Sequence, residues 1–306
     1  MNPKIRHAWL AGLYLCCAMA AQPVAAQILY GASNGQEGNA GLSSLYTINP
    51  DTGEATLVGP VGFENVTGLA FLPDGRLVAS VNGDTVVPPG PVALLIEIDV
   101  NDGSGTLIGT IADTNAGSCG RIPDISYDVT RNTLFGYADN CSGDPEGLFT
   151  INPVTGAGTS VGASGYAGGG NGLAAQPGTG TLYATPFDNQ SLVTINPVTG
   201  LGTDVAGSAG NVSFRVNALD FHPETGDLYG SYNSGGITYL VTIDLADGTT
   251  TQIGETILGL DALIFEREFV PTAPVPATGR TGMLLLALLL LLMMPLALRR
   301  RKPASV

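Results

Sequence analysis

Residues 148–162 read LFTINPVTGAGTSVG, a β-rich run, an Asn-Pro-x-Thr-Gly corner and a second β-rich run. Proline presets the first corner and glycine takes the positive φ that closes the loop, so the segment is a hairpin. The same wording recurs as LYTINPDTGEATLVG at 45–59, LIEIDVNDGSGTLIG at 95–109, LVTINPVTGLGTDVA at 192–206 and LVTIDLADGTTTQIG at 240–254. Aliphatic residues stand ten apart in every copy, as Ile48 and Val58, Ile98 and Ile108, Ile151 and Val161, Ile195 and Val205, Ile243 and Ile253. A constant turn length holds a constant strand register. A period near 48 residues marks a propeller or solenoid.

A second unit alternates with the first: GLAFLPDGRLVAS at 68–80, DISYDVTRNTLFGYA at 124–138, GLAAQPGTGTLYATP at 172–186 and ALDFHPETGDLYGSY at 218–232. Four copies stand against five. The fifth is divided between the ends, because Leu29-Tyr30-Gly31-Ala32 matches its second half and Leu260 to Phe265 its first. A ring that zips its last strand onto its first explains the division and removes exposed strand edges. The expected fold is all-β: a five-bladed β-propeller over residues 27–268, with strands a and b of each blade from the second unit and c and d from the first.

Composition narrows the function. All 26 acids lie between Glu37 and Glu268, so the segment 27–281 sets 26 acids against 6 arginines, net −20. That balance excludes nucleic acid as a partner. Two histidines, His7 and His222, leave little for acid–base chemistry. His222 sits beside Pro223 at an a–b turn and reads as structural. Asp99-Val100-Asn101-Asp102-Gly103 reads as a c–d turn, since its glycine is one place early for an EF-hand loop and no closing glutamate follows. The glycines at 168–170 lack the strand-to-helix context of a phosphate cradle.

The Gly-Leu-Ala-Phe-x-Pro-x-Gly-x-Leu-Tyr wording resembles the repeats of NHL-type, YVTN-type and gluconolactonase-like propellers. The a–b and c–d turns are nearly constant in length, whereas the b–c and d–a connections vary from 10 to 18 residues. Those variable connections share one face, where a binding funnel is expected. Polar residues expected at the starts of the five a strands are Thr67, Asp124, Asn171, Asn217 and Asp261, with Arg121 and Arg215 just before two of them. The gluconolactonase-like resemblance implies an axial ligand-binding ring holding a divalent cation, with Asp124 and Asp261 as metal ligands. Such oxygen donors suit Ca2+. The other reading is that these residues solvate the channel mouth or cap backbone groups.

The ends give an address. Lys4, Arg6 and His7 precede an apolar run from Ala8 to Ala21, and Val24-Ala25-Ala26 supplies small residues for cleavage, so 1–26 reads as a signal peptide cut after Ala26. A lipoprotein signal ending at Cys16 is disfavoured by the bulk of Leu15. Residues 269–282 form a Pro/Thr-rich linker, and 283–306 hold a hydrophobic helix and basic tail. Sixteen apolar-run residues, Met283 to Leu298, span about 24 Å as a helix, with Arg299, Arg300, Arg301 and Lys302 expected to stay cytoplasmic. The stretch 274–283 with that run and arginine cluster resembles the IPTL-CTERM type of PEP-CTERM sorting signal. Val275-Pro276-Ala277-Thr278-Gly279 also resembles a sortase signal. These resemblances imply an exosortase-type or sortase-type processing enzyme, transient anchoring in the inner membrane and delivery to the bacterial surface or extracellular matrix.

Cys119 and Cys141 are equidistant from the a–b turn near Thr130, so they face each other across the hairpin. In an oxidising compartment they read as a disulfide; free buried thiols are the other reading. The functional expectation is an exported, surface-sorted, non-enzymatic propeller presenting its variable face to a polysaccharide, another surface protein or Ca2+. The competing expectation is a metal-dependent hydrolase or lactonase, with Asn171 and Asn217 orienting substrate and Arg121 or Arg215 stabilising an oxyanion.

Overall fold

The computed structural model describes residues 27–35, 41–83, 92–113, 117–141, 146–166, 171–186, 190–212 and 216–267. Among these, every regular element is a strand. In chain order they are β1 (Leu29–Ser33), β2 (Leu42–Ile48), β3 (Ala55–Glu64), β4 (Val66–Phe71), β5 (Leu77–Val81), β6 (Ala93–Ile98) and β7 (Gly105–Asp113). There follow β8 (Gly117–Asp128), β9 (Thr133–Cys141), β10 (Gly147–Ile151), β11 (Gly158–Ala163), β12 (Gly172–Ala175), β13 (Leu182–Thr185), β14 (Val193–Ile195) and β15 (Gly202–Asp204). The last five are β16 (Val216–Phe221), β17 (Leu228–Ser234), β18 (Ile237–Ile243), β19 (Thr250–Glu255) and β20 (Leu260–Phe265). The expected signal peptide, linker and terminal helix lie outside the described residues.

The strands group as β20-β1-β2-β3, β4 to β7, β8 to β11, β12 to β15 and β16 to β19, five antiparallel blades of four strands. The second and third blades also touch edge to edge, because Ala112 and Asp113 pair with Ser118 and Gly117. The innermost strands β20, β4, β8, β12 and β16 neighbour one another in a closed circle. The expected closure is present: Leu29 pairs with Phe265, Tyr30 with Ile264, Gly31 with Leu263 and Ala32 with Ala262.

Hydrophobic side chains pack between blades rather than within them. One cluster joins Ala70, Val78, Ile125 and Phe149 of the second and third blades; another joins Leu29, Leu263, Tyr229 and Leu240 across the closure. The c–d turn glycines take the foreseen positive φ, and an Asn or Asp acceptor that was not foreseen holds each turn. Asn152 Oδ1 accepts the Val154 and Thr155 amides at 2.9 and 3.2 Å, and Asn196 repeats this with Val198 and Thr199. Asp99 accepts the Asn101 amide at 2.9 Å, so that acidic loop is a turn.

One recurrent glycine joins neighbouring blades. Gly109 in the middle of β7 abuts the next blade's Thr155-Gly156 corner, and Gly254 of β19 abuts Thr52-Gly53 of the first blade. A Cβ on Gly109 would lie 2.1 Å from the Thr155 carbonyl oxygen, and one on Gly254 2.0 Å from that of Thr52. The final glycine of the repeat therefore sits where only backbone fits.

Two substitutions test the seam. Leu29→Ala removes a fully buried side chain from the closing strand and should cost about 2–5 kcal/mol. Gly254→Ala forces the Thr52 corner outward and should cost about 1–3 kcal/mol. Urea unfolding measures both; unchanged midpoints would mean the seam does not limit stability.

The backbones of Cys119 and Cys141 stand directly opposite in the β8–β9 pair, while their side chains lie outside those described. We expect an oxidised pair that adds about 3 kcal/mol. Thiol titration of the denatured, leader-free protein should find no free thiol, and finding two would refute the bridge.

Candidate functional site

Inner-strand register sets the levels of the channel. Thr67, Asn217 and Asp261 sit at register shifts, between Val66 and Gly68, between Val216 and Leu219, and between Leu260 and Ala262, while Asn171 directly precedes Gly172, and the four share one level at the mouth. Blade three places Pro123 there. Asp124 does not join this ring, contrary to the sequence expectation. It pairs with Tyr137, one step deeper, level with Gly68, Gly172, Ala218 and Ala262. Those four small residues leave axial room for a single carboxylate.

The mouth residues bond to one another. Asn171 Nδ2 donates to Asn217 Oδ1 at 3.0 Å and to the Val216 carbonyl at 2.6 Å. Asn217 Nδ2 donates to Asp261 Oδ1 at 2.9 Å, and Asn34 Nδ2 to Asp261 Oδ2 at 2.7 Å. Thr67 Oγ1 donates to the Ile122 carbonyl at 3.3 Å. Burial pushes the Asp261 carboxyl up to about 6, against the two amide donors that favour its charge.

Asp124 is fully buried and crosses the axis. Its Oδ2 accepts the backbone amides of Leu173 at 2.8 Å and Leu219 at 3.2 Å, and its Oδ1 accepts that of Ile125 at 2.8 Å. One level lower, Ser126 Oγ accepts the Ala175 amide at 2.9 Å and Asp220 Oδ2 accepts the Phe265 amide at 2.8 Å. Arg267 donates to Asp220 Oδ1 at 2.7 Å. Burial raises the Asp124 carboxyl well above the ordinary range despite its amide partners, and the charge of Asp220 adds to the rise. Burial also raises Asp220, with Arg267 pulling the other way.

Asn34, Ser126, Asp220 and Arg267 were not foreseen. Asp220 had a signal in sequence: a charge in a column otherwise filled by Ala70, Ser126, Ala174 and Ile264. Arg121 is exposed on β8 opposite Asp139. Arg215, Val275, Pro276, Arg299, Arg300 and Arg301 lie outside the described residues. His222 is structural, its Nδ1 accepting the Glu224 and Thr225 amides at 3.2 Å while its ring rests on Phe265.

The donor set fits a cation poorly. Three N–H groups point at the Asp124 oxygens, which among the described residues leaves the mouth one carboxylate, Asp261, itself faced by two amide donors. Among the described residues no three His, Cys, Asp or Glu side chains converge as ligands. Calcium takes six to eight oxygens. The mouth instead offers amide and carboxyl groups suited to an uncharged polar ligand.

The architecture defines the class: a closed five-bladed β-propeller. The sequence matches no protein-family model, and no curated protein matches it. Among solved structures, a chain from a nidogen/laminin complex superposes with a TM-score of 0.50 at 14% identity, over 79% of this chain and 98% of that one. A gluconolactonase from Xanthomonas campestris gives 0.47 at 13% identity, over 77% and 78%. A putative gluconolactonase gives 0.48 at 12% identity, over 77% and 80%. These likenesses are of fold alone.

The raised carboxyls predict an acid-side gain in stability. A folded value above the unfolded one means the neutral form is favoured by folding, so stability rises as pH falls through about 6 toward about 4. For Asp261 the gain is on the order of 2 kcal/mol. Below that window Asp128 reverses the trend, because hydrogen bonds from Thr130 and Arg131 outweigh its burial and hold it below the usual range. Melting temperature should therefore be higher at pH 5 than at pH 7.5, and Asp261→Asn should flatten that slope. A variant with an unaltered slope would disprove the assignment.

Proposed function

We propose that the protein is an exported, surface-sorted β-propeller of the bacterial envelope or extracellular matrix that binds its ligand without transforming it. The supporting observation is the state of its axial carboxylates. Asp124 serves the backbone amides of two other blades, and Asp261 is tied between Asn34 and Asn217. A hydrolase needs a free base or a metal-bound water, and neither oxygen set is arranged for one. The acidic surface fits a soluble role outside the cell. The paired apolar ends of the sequence support export and tail recognition.

One observation favours the competing reading. A largely buried carboxyl near 6 at the channel mouth is poised for proton transfer at neutral pH. Asp261 is therefore the residue on which lactonase-like chemistry would rest.

Melting the full chain in detergent with millimolar calcium and with chelator separates the two. An ion held at a hundred times its dissociation constant adds about 2.7 kcal/mol. We expect no such shift and no hydrolysis of lactone esters. A shift of several degrees lost in Asp261→Ala, or turnover dependent on Asp261, would overturn the binding reading. For the address, the wild-type chain should shorten and leave the membrane in its native host, whereas Pro276→Ala should be retained at full length. Equal size and retention for both would argue against processing.

A further inference from the structure

We propose that the blade formed by β16 to β19 carries a glycan-binding platform built on Tyr232 and Tyr239, beside the polar mouth. The proposal rests on the binding reading above and names its ligand as an uncharged oligosaccharide chain.

Sheet register lays out the site. Val216 pairs with Tyr232, Tyr232 with Tyr239, and Tyr239 with Glu255, a single row running outward from the axis. At about 4.8 Å between strands the row spans roughly 14 Å. Its inner end meets the mouth directly: Asn171 donates to the Val216 carbonyl, and Asn217 follows Val216 in the chain.

The two tyrosines form one surface. Their rings stack on one another, 28° between planes, with centroids 6.2 Å apart. Both are half-buried and Ile237, two residues along the same strand face, is exposed. In the neighbouring blade β13 ends at Thr185, level with Ser231, while β17 continues to Ser234 and turns through Gly235-Gly236 into β18. The hairpin thus rises about 10 Å past the end of β13.

Chemistry selects the occupant. A pyranose ring presents an apolar C–H face and a rim of hydroxyls. The tyrosine pair supplies the aromatic apolar partner, and Asn171, Asn217, Asn34 and Asp261 supply amide and carboxyl groups at the adjacent mouth. A segment carrying net −20 repels uronate, sulfated or phosphorylated polymers.

Affinity electrophoresis of the full chain in detergent tests this, with gels containing neutral β-glucan, mannan or galactan, and alginate as the anionic comparison. At least one neutral polymer should retard the protein and alginate should not. Tyr232→Ala and Tyr239→Ala should each weaken retardation at least tenfold, and the Trp replacements should preserve it, which guards against an Ala variant that merely misfolds. The site is refuted if none of the neutral polymers retards the chain, if alginate alone does, or if a cooperatively melting double Ala variant binds as well as wild type. Lactone turnover would remove the wider binding reading, whereas absent glycan binding without turnover would remove only this platform.

Discussion

The inner edge of a closed ring sets the terms for the rest of the molecule. Five inner strands each turn one edge toward the axis, where no sixth strand can pair with it, and an unpaired buried amide costs as much as a lost hydrogen bond. Side chains supply the missing acceptors. Asp124 reaches across to Leu173 and Leu219, Ser126 to Ala175, and Asp220 to Phe265. The axis is consequently filled with structural oxygen, and its carboxylates are committed to holding blades together. Their raised proton affinities follow from the same placement, since each must sit in a desolvated centre to do this. What remains for recognition is the rim.

The outer wall is solved by a different device. Each hairpin corner closes on itself through an Asx-type turn, and the following blade's backbone presses on the preceding glycine. Asx turn and glycine contact belong to one repeated phrase in four of the five copies, the fourth ending in Ala206 instead, so those units bring both a blade and its joint. The ring closes on itself through the β1–β20 pairing at Leu29 to Ala32, and Gly254 against Thr52 repeats the contact that Gly59, Gly109 and Gly162 make with their next blades.

This explains what could be read in advance. Blade number, closure and the Cys119–Cys141 register depend on repeat spacing and turn length, which are local in sequence. The level of Asp124 is legible too, since copies of the second unit begin at Gly68, Asp124, Gly172 and Ala218; what failed was the expectation of a polar residue at every mouth position, because that of the third blade is Pro123. A one-residue slip moves a side chain to another level of the channel. The roles of Asp220 and Arg267 were out of reach for another reason: their partners lie 45 and 47 residues away along the chain. Only the ring brings them together.

The closure also decides how the molecule presents itself. Strand β1 starts, and β20 ends, at the face of the a–b and c–d turns, where the Glu266 amide bonds to the Ile28 carbonyl at 2.7 Å. The Arg267–Asp220 ion pair fixes the last described residue to the channel on that side, with both side chains largely withdrawn from water. The first and last described residues are therefore on the constant face. The mouth with Asn171, Asn217 and Asp261, and the Tyr232–Tyr239 hairpin, stand on the opposite one. Loop lengths are free to vary there because neither the joint between blades nor the path of the chain ends depends on them, and a recognition surface can change without loosening the ring.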